Sequence, residues 1–403
     1  MARGNRAAER ALTASCPVCG NGSCADLLEM AAVPVYCNVL WARREDALRA
    51  KRGPIDLKHC AGCGHVFNAS YDEASMDYTA AYDSSLHFSP QFRRYAGELA
   101  QRLVGRYDLR GKKVVEIGCG KGDFLTLLCE EGGNQGWGFD RSFEPERVDA
   151  ARSRSVEFSQ KFYTAADATL LRPDFVCFRH VLEHIASPRG FLEELRQGFG
   201  DRADAALYCE VPNALFTLKD LGIWDLIYEH CAYFTLGSLV QVVLAGGFDV
   251  VAMGEAFGGQ YLYVEMRPGK GKALVAVPDA HRPAAVSRCA GDFARLYREK
   301  AGAWRERLHE LRQANRKVIV WGGGSKGVTF LNVVGADSGI EYVVDLNPHK
   351  QGKYVGGTGQ RVVAPEFLRE LRPTDVLVMN PLYEKEIADS VRALGLDSRL
   401  QCV

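Results

Sequence analysis

No uninterrupted apolar run in this 403-residue sequence approaches the roughly 18 residues that a membrane-crossing helix needs, so no span is expected. Charge of one sign is also missing. The 50 basic and 50 acidic side chains cancel, which leaves no long-range field to draw in nucleic acid or anionic lipid. The basic start MARGNRAAER runs into ALTASCPVCG with no long apolar stretch; no secretory signal is read, and a soluble, cytoplasmic protein is expected. Neither a GxxxxGK[ST] phosphate loop nor an HExxH zinc helix occurs. With 47% hydrophobic and 25% charged residues the chain is neither disordered nor fibrous. Its length allows two or three domains, each with its own core.

Cysteine is abundant. Four of the thirteen form two tight pairs, Cys16/Cys19 in CPVCG and Cys60/Cys63 in CAGCG. Two CxxC turns across a forty-residue loop supply the four thiolates of a closed tetrahedral zinc site, which leaves no position open for substrate. The expected zinc is therefore structural. Cys24 and Cys37 are possible replacements for a member of the set, and His59 and His65 are expected at the surface.

In the middle of the chain, the β-branched strand Lys113 to Ile117 runs into Gly118-Cys119-Gly120-Lys121-Gly122 and then an apolar-periodic helix. Glycines there permit a tight turn and close approach of a ligand to a helix N-terminus. A second strand ends on Asp140, where an acid can accept both ribose hydroxyls. GCGKG is a poor nicotinamide fingerprint. The arrangement E-x-G-x-G-x-G from Glu116 resembles the first motif of class I S-adenosylmethionine-dependent methyltransferases, with Asp140 at the ribose acid. AADA (165 to 168) resembles the adenine-edge segment, which implicates Asp167 and Ala168, and DFVCFRHVLEHIASP (174 to 188) resembles the fourth strand, with His180 lining the cofactor pocket. His180, Glu183 and His184 would share a helix face, but the missing HExxH order argues against a metal there.

Residues 289 to 315 read as an amphipathic connecting helix with Phe293, Leu296, Trp304 and Leu308 in one stripe, able to pack within or between chains. A second strand-glycine-helix unit follows, RKVIVWGGGSKGVTF, with its next strand ending on Asp345. Gly322 to Lys326 could hold a phosphate.

Taken together, the knuckles, the methyltransferase motifs, an EHxxYF segment and the C-terminal half resemble the sugar C-methyltransferases that act on nucleotide-linked 4-keto-hexoses. The resemblance implies an α/β fold: a class I methyltransferase Rossmann-like core (76–267) flanked by a small zinc-binding domain (12–75) and a C-terminal Rossmann-like domain (268–403). It implies S-adenosylmethionine and zinc as cofactors and a dTDP-linked keto-deoxysugar, methylated at the carbon beside its ketone, as substrate. The protein would act as a monomer or homodimer. By that resemblance His230 is the general base, with Glu229 and Tyr228 beside it. Tyr78, Tyr82, His87, Asn213, Tyr233 and Lys326 face the substrate. Histidine suits the base role because its ordinary pKa is roughly 6.5. The sequence departs from the family where a tyrosine is expected three residues before that histidine; Ile227 stands there. O- or N-methylation, an enolising epimerase and a non-catalytic cofactor-binding module are the alternatives.

Overall fold

The computed structural model describes residues 15–76, 82–83, 85–145 and 155–403. Three sheets organise them. The N-terminal region supplies β1 (Cys24–Pro34), β2 (Arg52–Cys60) and β3 (Val66–Asn68). The middle supplies β4 (Lys113–Ile117), β5 (Gln135–Phe139), β6 (Val156–Ser159), β7 (Phe175–Arg179), β8 (Ala206–Pro212), β9 (Ala232–Tyr233), β10 (Phe248–Ala256) and β11 (Tyr261–Pro268). The C-terminal region supplies β12 (Val318–Trp321), β13 (Tyr342–Val344), β14 (Arg361–Val363), β15 (Asp375–Val378) and β16 (Arg399–Cys402).

The middle sheet runs β10-β11-β8-β7-β4-β5-β6. It is parallel from β8 to β6, and β11 is antiparallel to both of its neighbours. Helices cover both faces, so β7 and β8 read as near-continuous apolar runs rather than alternating ones. From β4 the chain winds outward through β5 and β6, then returns to β7 on the other side. This reversal opens a crevice at the carboxyl ends of β4 and β7, where ligands bind in such sheets. The C-terminal sheet repeats the scheme with five parallel strands, β14-β13-β12-β15-β16, and its reversal lies between β12 and β15.

The small sheet, β1-β2-β3-β9, is antiparallel and crosses the expected domain boundary. Its edge strand β9 comes from the middle of the chain: Val66 pairs with Tyr233 and Phe67 with Ala232. The knuckle after β2 thus leads directly into a strand bonded to the segment after His230.

The helix Pro283–Gln313 buries Val286, Ala290, Phe293, Tyr297, Leu308 and Leu311 inside this chain. Trp304 and Trp224 both meet Phe330 edge-on, at 5.7 and 5.0 Å. Each such pair is worth about 0.5–1.5 kcal/mol beyond its area burial. Through Trp224, the turn just before His230 is packed onto the C-terminal region.

Candidate active site

The glycine loop after β4 uses its three glycines differently. Gly118 (φ 69°) has no room for a side chain, since a Cβ would lie 2.3 Å from Val181; at Gly122 (φ 84°) it would lie 2.5 Å from Phe158. Gly120 (φ 55°) faces open space, as a backbone must where a ligand approaches closely. Asp140 holds the loop by accepting from Gly120 N at 2.8 Å, while its other oxygen accepts from Ser142 N and Oγ at 2.6 and 2.7 Å. Glu116 is buried beneath, and burial pushes its carboxyl up to about 8. Ala168 is buried. The Asp167 carboxylate caps its own helix, accepting from Thr164 N and Oγ1 at 3.0 and 2.7 Å and from Lys161 at 2.6 Å. Only the backbone there is left to meet a ligand.

His180 follows β7 in the left-handed region at φ 56°, a conformation that costs roughly 1–2 kcal/mol and is common where function constrains the chain. Burial alone would lower its pKa, but Glu183 at 3.4 Å and Glu210 at 3.3 Å outweigh it and raise it to about 9. Glu210 also accepts from Arg179 at 3.0 Å and Tyr208 at 2.8 Å, and it bonds Tyr95. Sequence reasoning missed this buried Arg179–Glu210–His180 network, because its members lie on separate strands and fit no motif.

The stretch that bears His230 is not helical. A short 3-10 turn, Ile223–Asp225, leads into a tight loop in which His230 N donates to Ile227 O at 3.2 Å. The Tyr233 hydroxyl closes the loop, donating to Ile227 O at 3.2 Å and accepting from Ile227 N at 3.3 Å. His230 is held at the apex with a partly open face. Burial, then the nearby His184, His180 and Lys326, hold its pKa well below the usual histidine value, so the imidazole is neutral near pH 7. His184 packs edge-on against it at 5.0 Å and 74°. The His184 Nδ1 lies 2.8 Å from Glu229 O. A carbonyl only accepts, so Nδ1 carries the proton of that bond.

Glu229 is fully buried, and both its oxygens are spent on the N-terminal region. Oε1 accepts from Cys37 N at 2.7 Å and Asn38 N at 3.3 Å; Oε2 accepts from Asn38 Nδ2 at 3.1 Å and Tyr82 Oη at 3.3 Å. Burial raises its pKa, opposed by His184 and those donors. It is therefore a clamp between two regions and neither orients His230 nor faces a sugar hydroxyl.

The expected site residues divide. Lys326 reaches the site: its ammonium sits 2.6 Å from Asp225 and close enough to depress His230. Tyr82 reaches it through Glu229. His87 lies near Asp123 and Arg179, with burial lowering its pKa, and its ring meets Phe92 edge-on at 5.1 Å. Tyr228 is turned away; its hydroxyl accepts from Asp72 N at 3.0 Å and its ring packs on Gly53 and Tyr71. Asn213 is consumed by backbone, bonding Gly259 O and Leu215 N at 2.8 and 3.0 Å. Tyr233 is a loop closure. Tyr78 lies outside the described residues. Ile227 is buried in the core. Glu183, His184 and His230 bring ligand-type atoms within 4.8 Å of one another, a different set from the helix face considered in the sequence, and Glu183 there already faces His180.

In the N-terminal region, Cys16 and Cys63 sulfurs lie 3.6 Å apart and Cys19 and Cys60 sulfurs 3.5 Å apart. A tetrahedron with Zn–S bonds near 2.3 Å has edges of about 3.8 Å, so the four thiols fit that ion. Cys37 is remote from them, behind Glu229. His59 and His65 are not at the surface: 5% and 0% of their area is exposed. The β2–β3 hairpin folds His65 against Phe67 and Phe234, and burial lowers it to about 3.

Residues 88–253 match a family model described as a methyltransferase domain, and residues 288–396 match one described as a C-methyltransferase C-terminal domain. The chain is 25% identical to the C-methyltransferase NovU of Streptomyces niveus, over 93% of this chain and 91% of that one. It is 30% identical to the nodulation protein NoeA of Rhizobium meliloti, over 34% of this chain and 25% of that one. Among solved structures, a SAM-dependent methyltransferase from Aquifex aeolicus is similar at 19% identity, covering 42% of this chain and 89% of that one, with a TM-score of 0.33. No helix among the described residues is long and apolar enough to cross a membrane. With a methyltransferase domain over residues 88–253 and a C-methyltransferase C-terminal domain after it, the chain is an S-adenosylmethionine-dependent methyltransferase that is similar to a C-methyltransferase over nearly its whole length.

Proposed function

We propose that the protein methylates the carbon beside the ketone of a nucleotide-linked, dTDP-type 4-keto-deoxysugar, with His230 as general base. The observation that carries this reading is the meeting of three regions around one neutral imidazole: His184 and the loop itself from the middle, Cys37 and Asn38 of the N-terminal region through the adjacent Glu229, and Lys326 from the C-terminal region. A C–H beside a ketone must lose its proton before carbon attacks a methyl sulfonium. An uncharged histidine with a partly open face can take that proton. Lys326 supplies positive charge for the diphosphate or the developing enolate, which Ile227 cannot. S-adenosylmethionine, held by the Gly118–Gly122 loop with Asp140, supplies the methyl group; transfer then depends on alignment. A zinc ion on Cys16, Cys19, Cys60 and Cys63 holds the knuckles in register as scaffold.

The test is incubation with S-adenosylmethionine and a panel of nucleotide-linked 4-keto-hexoses in deuterated water, read by mass spectrometry for methyl and deuterium, for the wild type and His230→Ala. Methyl gain that disappears in the variant supports the reading. Deuterium without methyl in the wild type points to an enolising, non-methylating enzyme, the alternative that buried Ile227 favours. Methyl on oxygen or nitrogen overturns carbon methylation.

A further inference from the structure

Five cysteines, not four, stand at the knuckles. Cys24 begins β1 and lies directly across from Cys60 in the β1–β2 register. The Cys60 N–H donates to His65 O at 2.9 Å and its carbonyl accepts from Gly64 N at 2.8 Å, so neither backbone group bonds Cys24. This makes Cys24/Cys60 a non-hydrogen-bonded antiparallel pair, the kind that brings Cα atoms to about 4.5 Å and side chains closest. That separation lies inside the window for a disulfide, roughly 4.4–6.8 Å. The Cys24 thiol is partly exposed and donates to Asn21 O at 3.6 Å. All five are free thiols. The four-thiol set needs no fifth member, and the register places the fifth against one ligand only.

We infer that Cys24 is a redox modification site: on oxidation by a peroxide it takes Cys60 out of the four-thiol set as a cross-strand disulfide, and the metal is released. This rests on the zinc reading above. A metal-bound Cys60 thiolate attacks the peroxide O–O bond, giving a sulfenic acid and hydroxide. The Cys24 sulfur then attacks the Cys60 sulfur, the S–S bond forms and the S–OH oxygen leaves as water. Overall one thiolate and one thiol lose two electrons and one proton, and one hydrogen peroxide becomes one water and one hydroxide. Three remaining thiolates no longer close the tetrahedron. Because Cys60 ends β2 and the knuckle leads into β3, the change acts on the strand that pairs with β9.

The test uses the full-length protein after its zinc content has been measured. It is treated with hydrogen peroxide, and zinc release is followed with a chromogenic chelator alongside peptide mapping under non-reducing conditions. The wild type is expected to release one zinc per chain, to yield a Cys24–Cys60 linked peptide, and to recover zinc on adding a dithiol and the metal. Cys24→Ser is expected to release zinc at least fivefold more slowly and give no such peptide, with Cys24→Ala as the second variant should serine perturb the strand. Equal release rates in wild type and both variants, or disulfides confined to Cys16, Cys19, Cys60 and Cys63, overturn the inference. A protein purified without zinc overturns the metal reading alone, because the Cys24–Cys60 mapping is read independently.

Discussion

The two strand-glycine-helix loops, one after β4 and one after β12, use the same part and turn it to different ends. In each, an acid at the tip of the next strand accepts from a loop N–H: Asp140 from Gly120 and Asp345 from Gly323, both at 2.8 Å. In each, the acid's second oxygen is taken two residues on, by Ser142 N in the first and by Asn347 N at 2.8 Å in the second. Each loop also carries a lysine, and there the likeness ends. Lys121 folds back on its own region, donating to Ser142 O at 2.7 Å and pairing with Glu144 at 3.0 Å. Lys326 projects out to Asp225 and the neighbourhood of His230. The buried Lys350 stands 3.9 Å from Asp345, and Asn347 reaches Asp83 at 3.1 Å. The first loop keeps its charges inward and its mouth open at Gly120; the second sends a cation into another region's site and ties down the segment that passes over it.

The sharpest break of this comparison is a pair of acid substitutions. Asp140→Asn is expected to weaken S-adenosylmethionine binding by about 100-fold, whereas Asp345→Asn leaves it within about twofold, measured by calorimetric titration; equal losses would mean that the loops share a ligand. For the lysines, Lys326→Met is expected to raise KM for the sugar nucleotide about tenfold at unchanged cofactor affinity. Lys121→Met would do neither if its role is confined to its own loop.

Among the glycines, Gly118→Ala is expected to cost about 2–3 kcal/mol of stability, because left-handed strain adds to the clash with Val181. Gly120→Ala costs about 1 kcal/mol, having strain alone, while it weakens cofactor binding. Denaturant melts of the two variants separate these. Most diagnostic is an alkaline limb. His180 is raised to about 9 in the fold against roughly 6.5 in the unfolded chain. The stability it contributes is complete below pH 6.5 and lost as pH rises through 9, at most about 3 kcal/mol. His180→Asn should flatten that limb of the stability profile; an unchanged slope would mean that the proton is not held there.

What could be read in the sequence was what is local. The CxxC pairs, the glycines after β4 and the acid at Asp140 sit within a few residues of the structure they dictate. The order of these parts gave the fold class. The site was less legible, because its contacts join distant positions: Glu229 is satisfied by Cys37, Asn38 and Tyr82, up to 192 residues away. A polar residue next to the base looks catalytic until those partners are seen. Tyr228 and Asn213 look alike in this respect: the Tyr228 hydroxyl is taken by Asp72 N and the Asn213 amide by Gly259 O, while Asn213 Oδ1 caps its own helix at Leu215 N. His65 was placed wrongly because nothing around Cys63 announces Phe234 as its neighbour. One signal was there to be found: Gly322-Gly323-Gly324-Ser325-Lys326-Gly327 spells GxGxxG after a strand and opens a helix, with Asp345 at the next strand end.

The pairing of β3 with β9 also sets an order of events during synthesis. Val66 leaves the ribosome well before its partner Tyr233 exists. At about 5–20 residues per second the wait is on the order of 10–30 s. The knuckle turns, being local, can close in that interval, whereas the loop that carries His230 has no edge to dock on until both strands are present. The N-terminal sheet is thus a template made early, and the base-bearing loop is cast against it late.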